Sequence, residues 1–147
     1  MWGRDKGDIV NRLFAPFLAV ALIIAVSARA DPAPLAPPDT AAIRVALAGT
    51  WQSTDDTKFT RELDADGRAA DRYEGDVSAT TPGRWIVFLG SAAPPGVAGR
   101  KLEPNVVYLK LDQNGDQLLF AIMAMSRSEL RMIYLERGNL LSFVRLK

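Results

Sequence analysis

The chain of 147 residues contains neither cysteine nor histidine. Without cysteine there is no disulfide, no thiolate nucleophile and no lipid anchor through a lipobox cysteine. Without histidine the Ser-His-Asp and Cys-His systems, the usual zinc sites and a histidine-ligated haem are excluded. These exclusions hold whatever the fold. Charge of one sign is lacking too: 18 basic residues stand against 17 acidic ones, a net of +1. No basic patch stands out, so nucleic acid is not an expected partner. Aromatic residues make up only 8% of the chain, with three tryptophans, so the placement of each tryptophan is informative.

One long apolar run is present, Leu13 to Val26 (LFAPFLAVALIIAV). Its fourteen residues suit the apolar part of an export signal and are short for a membrane span. Arg4, Lys6 and Arg12 precede it against Asp5 and Asp8, and Ala28-Arg29-Ala30 follows as a small-x-small cleavage site. The expectation is a signal peptide over residues 1–30, cleaved after Ala30, with a periplasmic or secreted product and no stable membrane insertion after cleavage. An uncleaved N-terminal anchor is the other reading. The product from Asp31 onward holds 14 basic and 15 acidic residues, net −1. Its length supports one domain with a modest core.

Asp31 to Asp39 (DPAPLAPPD) carries four prolines in nine residues, which reads as an extended spacer. Thr40 to Ala48 predicts a short helical turn with Thr40 as its N-cap. Residues 31–46 are therefore assigned to linker and turn, and 47–147 to the folded domain. From Gly49 the texture is β. Phe59, Arg61 and Leu63 alternate with Lys58, Thr60 and Glu62, as on a half-buried strand. Asp64-Ala65-Asp66-Gly67 turns the chain into a polar return strand, Arg68 to Glu74. Arg84 to Leu89 (RWIVFL) is strongly β-like. Gly90 to Pro104 (GSAAPPGVAGRKLEP) reads as a long loop. Four further strands follow, with turns at Asn114-Gly115, Ser126 to Ser128 and Arg137 to Asn139. About eight strands joined mostly by tight turns predict an all-β, antiparallel up-and-down meander that closes into a barrel.

Two Gly-x-Trp tripeptides bracket the first hairpins: Gly49-Thr50-Trp51 and Gly83-Arg84-Trp85. The first follows a short turn and opens the first strand, and Arg145 lies on the last strand in Phe143-Val144-Arg145-Leu146. With the Asp-Gly turn between the two tripeptides, the chain resembles the bacterial lipocalin-like domains from about Leu47 to Lys147. The resemblance implies that Gly49, Trp51 and Arg145 are structural, with the guanidinium packed across the indole at the closed end. It also implies a binding protein without catalytic activity, holding a small apolar ligand in the barrel. Strand parity assigns Phe120, Ile122, Met132 and Tyr134 to the interior, with Trp85 nearby, as candidate ligand-binding residues. No C-terminal helix follows the strands, and the chain is short for such a carrier, which predicts a narrow barrel with little cavity.

A second expectation is a periplasmic protein-interaction module, an inhibitor or assembly factor, acting through the 90–104 loop. An enzyme would need carboxylates, tyrosine or lysine converging in one pocket. Asp55, Asp56, Glu62, Glu74 and Asp76 alternate with Lys58, Arg61, Arg68 and Arg72, which reads as a solvated, salt-bridged face rather than a catalytic pair. Asp64 and Asp112 open calcium-like tetrads, but the twelfth residue from each is Gly75 and Met123, not the glutamate an EF-hand requires. No cofactor and no metal are expected. Intact mass and N-terminal sequencing of the exported protein should find a chain beginning at Asp31. A periplasmic product that starts at Met1 would overturn the cleavage assignment.

Overall fold

Period-two alternation gives most of the strands an apolar face, and a meander of such strands buries those faces by curling until its first and last strands meet. The computed structural model describes residues 36–97 and 99–147. The expected export signal, its expected cleavage site and the spacer as far as Leu35 lie outside the described residues. Helix α1 (Thr40–Leu47) leads into β1 (Gly49–Ser53), β2 (Phe59–Leu63), β3 (Arg68–Tyr73) and β4 (Asp76–Leu89). After one 3₁₀ turn (Gly90–Ala92) come β5 (Val107–Gln113), β6 (Asp116–Met125), β7 (Glu129–Tyr134) and β8 (Asn139–Arg145). The eight strands pair in chain order and close, β8 lying antiparallel to β1.

Two elements depart from the sequence reading. The helix is capped by Asp39 rather than Thr40: the Asp39 carboxylate accepts from the Ala41 and Ala42 N–H groups at 3.0 and 3.2 Å. The helix also belongs to the barrel and not to a linker, because Leu47 is fully buried and Ile43 packs on the same core. Strand β4 is longer than Arg84 to Leu89. It starts at Asp76, and between the pairs Tyr73↔Asp76 and Asp71↔Thr81 the four residues Val77 to Thr80 stand opposite Arg72 alone. That excess makes a wide bulge.

The turns follow their residues. Asn114 and Gly115 both take positive φ between the paired Gln113 and Asp116, as a two-residue hairpin turn requires. Inside the barrel Trp51, Leu63, Trp85, Leu109, Leu111, Phe120, Leu130, Met132 and Phe143 form one cluster. Each such residue, fully buried, contributes about 1.5–3 kcal/mol relative to exposure.

Arg61 lies in that interior and not on a solvated face. It points inward with Leu63, and its cross-strand neighbour is Asp71. Arg61 Nε and Nη2 donate to the two Asp71 carboxylate oxygens at 2.8 and 2.7 Å. The guanidinium sits 4.9, 5.6 and 5.9 Å from the ring centres of Phe120, Phe59 and Phe143. A bidentate pair ringed by aromatics is a workable way to bury two charges, yet removing one partner strands the other. Urea denaturation should therefore find Asp71→Ala less stable by about 3–5 kcal/mol. Arg61→Met combined with Asp71→Leu should recover most of that loss. Equal destabilisation in both variants would show that the charge pair is not what matters there.

Candidate functional site

Strand direction sorts the connections between two barrel ends. The β2–β3, β4–β5 and β6–β7 connections share the end that α1 enters; the β1–β2, β3–β4, β5–β6 and β7–β8 connections share the other. At the α1 end both Gly-x-Trp motifs are built alike. Trp51 is fully buried, its indole N–H donates to the Leu47 carbonyl at 2.8 Å, and Arg145 lies 4.1 Å from its ring centre. Trp85 donates to the Asp64 carbonyl at 2.9 Å and carries Arg44 of α1 at 5.2 Å. Gly49 has φ +138°, and a Cβ there would run into the Arg145 guanidinium.

The five residues assigned to a ligand do lie together, but they are core. Trp85, Phe120 and Met132 are buried, and Ile122 and Tyr134 pack against the same cluster. Phe120 and Tyr134 pair across neighbouring strands with ring centres 5.2 Å apart. Their surface is spent on one another and on the Arg61–Asp71 pair, so the barrel is filled with side chains. Eight strands make a barrel just wide enough for that.

The loop from Gly90 to Pro104 does not guard an open mouth. It folds back along the outside of β4, β5 and β6. Val97 is 1% exposed and sits in a second cluster with Phe88, Tyr108, Leu119 and Ala121, the outward residues of those strands. The Tyr108 hydroxyl accepts from the Glu103 N–H at 2.9 Å. Arg100 pairs with Glu136 across the strap. This explains why Leu118 to Ile122 is apolar on both faces: Leu118, Phe120 and Ile122 turn to the barrel core, while Leu119 and Ala121 lie under the strap. Beyond the register shift at Ile122/Ala124, Met123 is exposed and Met125 packs on the inner core.

Among the described residues, the outer wall of β1 to β4 has no such cover. Trp51, Arg61 and Asp71 point inward, so Gln52, Thr60 and Arg72 point out. Together with Leu146 and the arm from Glu74 to Thr80 they form a groove of about 420 Å³. Val77, at the rim, is 92% exposed, and Leu146 is 39% exposed. A second groove, of about 500 Å³, lies at the α1 end between Val45, Ala46 and the Met125–Arg127 turn. Sequence reading missed the first groove because the β4 bulge makes it, and a bulge leaves no local signature here beyond the turn-forming Asp76.

The chemistry of the first groove is mild. Repulsion by the Asp56 carboxylate is the main reason that the Tyr73 phenol titrates above its ordinary value; desolvation and a hydrogen bond to Asp56 act the same way. Tyr73 therefore stays neutral at physiological pH. Asp76 is held below the usual carboxylate range, chiefly by its hydrogen bond with the Ser78 hydroxyl, with the Ser78 and Ala79 N–H groups adding and desolvation opposing. Among the described residues no three His, Cys, Asp or Glu side chains converge as a metal site. Among the described residues, too, no helix is long and apolar enough to cross a membrane. No known protein family matches the chain, and no curated protein or solved structure matches it either.

The Asp76 carboxylate holds the bulge in shape. Its folded pKa lies below the unfolded value of about 3.9, so the stabilisation is present at neutral pH and is lost as pH falls through the folded value. The protection factors of the Ser78 and Ala79 amides, corrected for the intrinsic pH dependence of exchange, should fall below about pH 4, while those of the β5–β6 amides persist. Asp76→Asn, which keeps the acceptor but cannot titrate, should flatten that pH response. A response unchanged in Asp76→Asn would assign the transition to another group.

Proposed function

We propose that this chain is a non-enzymatic, exported, lipocalin-like binding protein that engages another protein through the outside of its barrel. The observation that carries the reading is the filled interior. Trp85, Phe120 and Met132, the residues that a carried ligand would touch, are buried against one another and leave it little room. An eight-stranded barrel without a cavity offers its walls and ends. The strap of 90–104 closes one wall with its own Val97, so that loop is less available than its length suggests. The wall of β1 to β4 remains, with a preshaped groove and an apolar rim.

Support for the lipocalin-like reading comes from Gly49, Trp51 and Arg145, which meet at one barrel end as the resemblance implies. Support for export comes from the basic, apolar and small-residue order of the first thirty residues. Support for a non-enzymatic role comes from the absence of histidine and cysteine.

Native mass spectrometry of the protein, purified gently from its own compartment, should return the bare polypeptide mass without a small-molecule adduct. A photo-reactive residue in place of Val77 should cross-link to polypeptide in the cell, whereas one in place of Asp116 should not. An adduct that disappears in Ile122→Trp would instead return the binding site to the barrel interior.

A further inference from the structure

Strand β4 runs past the strand beside it. β5 pairs with it only from Gly83↔Gln113 to Leu89↔Val107, half of its fourteen residues. From Asp76 to Pro82 the edge on the β5 side therefore has no partner strand among the described residues. On the β3 side Val77 to Thr80 stand opposite Arg72 alone. A bare strand edge is a template on which another extended chain can add. Val77-Ser78-Ala79-Thr80-Thr81 is the kind of segment that does so: uncharged, free of proline and rich in β-branched residues.

The edge is nevertheless blunted along its length. Pro82 has no N–H to offer. The Gln113 side chain donates to the Thr81 carbonyl at 3.1 Å. Asp76 acts on the stretch between. One of its carboxylate oxygens accepts from the Ser78 and Ala79 N–H groups at 3.0 and 3.2 Å, and from the Ser78 hydroxyl as well. In a flat strand successive N–H groups point to opposite edges, so two consecutive ones cannot share an acceptor. Their convergence on one oxygen means that the backbone is bent there. A bent edge with two donors already engaged offers an incoming strand no regular ladder.

We infer that Asp76 guards this edge: it keeps Val77 to Thr80 bent and so prevents a second extended chain from adding to β4. The role is independent of what the groove binds. In the pure protein the only strand available to add is that of another copy, so losing the guard reads out as self-association.

Sedimentation velocity over about 10 μM to 1 mM tests this, since a weak new contact becomes visible in that range. Asp76→Ala should associate roughly tenfold or more tightly than wild type, because it frees two amides from a charged acceptor. Asp76→Asn keeps an acceptor oxygen and should stay close to wild type. Thr80→Pro added to Asp76→Ala should restore wild-type behaviour, because it takes an N–H from the edge at a position with no β3 partner. In the associated Asp76→Ala form, amide exchange should slow at Val77 to Thr80, where the new strand would pair. Equal association of Asp76→Ala and wild type overturns the inference. So does association that Thr80→Pro leaves intact, or that protects amides elsewhere. An Asp76→Ala chain that unfolds overturns it too, because the carboxylate would then be holding the barrel and not the edge.

Discussion

Arg145 is the contact on which the closed barrel depends. The seam between β1 and β8 is short, with pairs only at Trp51↔Arg145, Gln52↔Val144 and Ser53↔Phe143. One side chain reinforces it from several directions. The guanidinium donates to the Ala48 carbonyl at 2.7 Å and to the Arg127 carbonyl at 2.8 Å, and it also reaches the Ala46 carbonyl. It thereby joins the end of α1, the β6–β7 turn and the last strand, while stacking on Trp51. An open seam would leave two bare strand edges, a hazard for a chain with no disulfide to hold it shut. Gly49 serves the same contact by leaving space for the guanidinium.

With the seam shut, the interior has to be filled, and Arg61–Asp71 is the most demanding part of that filling. The pair could not sit among Phe59, Phe120 and Phe143 unless it satisfied most of its own donors and acceptors. Arg61 Nη1 has no hydrogen-bond acceptor and faces the aromatic cage instead. A barrel packed in this way has its interior occupied by its own buried side chains.

That surface is divided by what covers it. The strap takes the outer face of β4 to β6 and turns it into a second core around Val97. The wall of β1 to β4 stays open, and the β4 bulge shapes it. The proposal that this wall binds rests on the filled interior and the occupied strap together; neither alone would favour it.

Much of the architecture was legible in the residues. Alternation and β-like runs between turns found the eight strands, and a parity choice put Phe120, Ile122, Met132 and Tyr134 on one face, because period two is a local property. Asn114-Gly115 marked its turn through backbone preference, whereas the meeting of Gly49, Trp51 and Arg145 at the closed end was implied only by the resemblance to lipocalin-like domains. The candidate site was less legible. That Arg61 leaves the solvated face depends on Asp71 ten residues on, across a hairpin register. That the interior is full depends on how large side chains from seven strands interleave. That 77–80 bulges rather than pairs depends on two registers in the β3–β4 hairpin disagreeing by three residues. The amino-acid order determined local pattern: strand, turn, inward or outward, and the chemistries ruled out by missing histidine and cysteine. Only the tertiary structure decided what is packed, what is covered and what stays open, because those follow from contacts between residues distant in the chain.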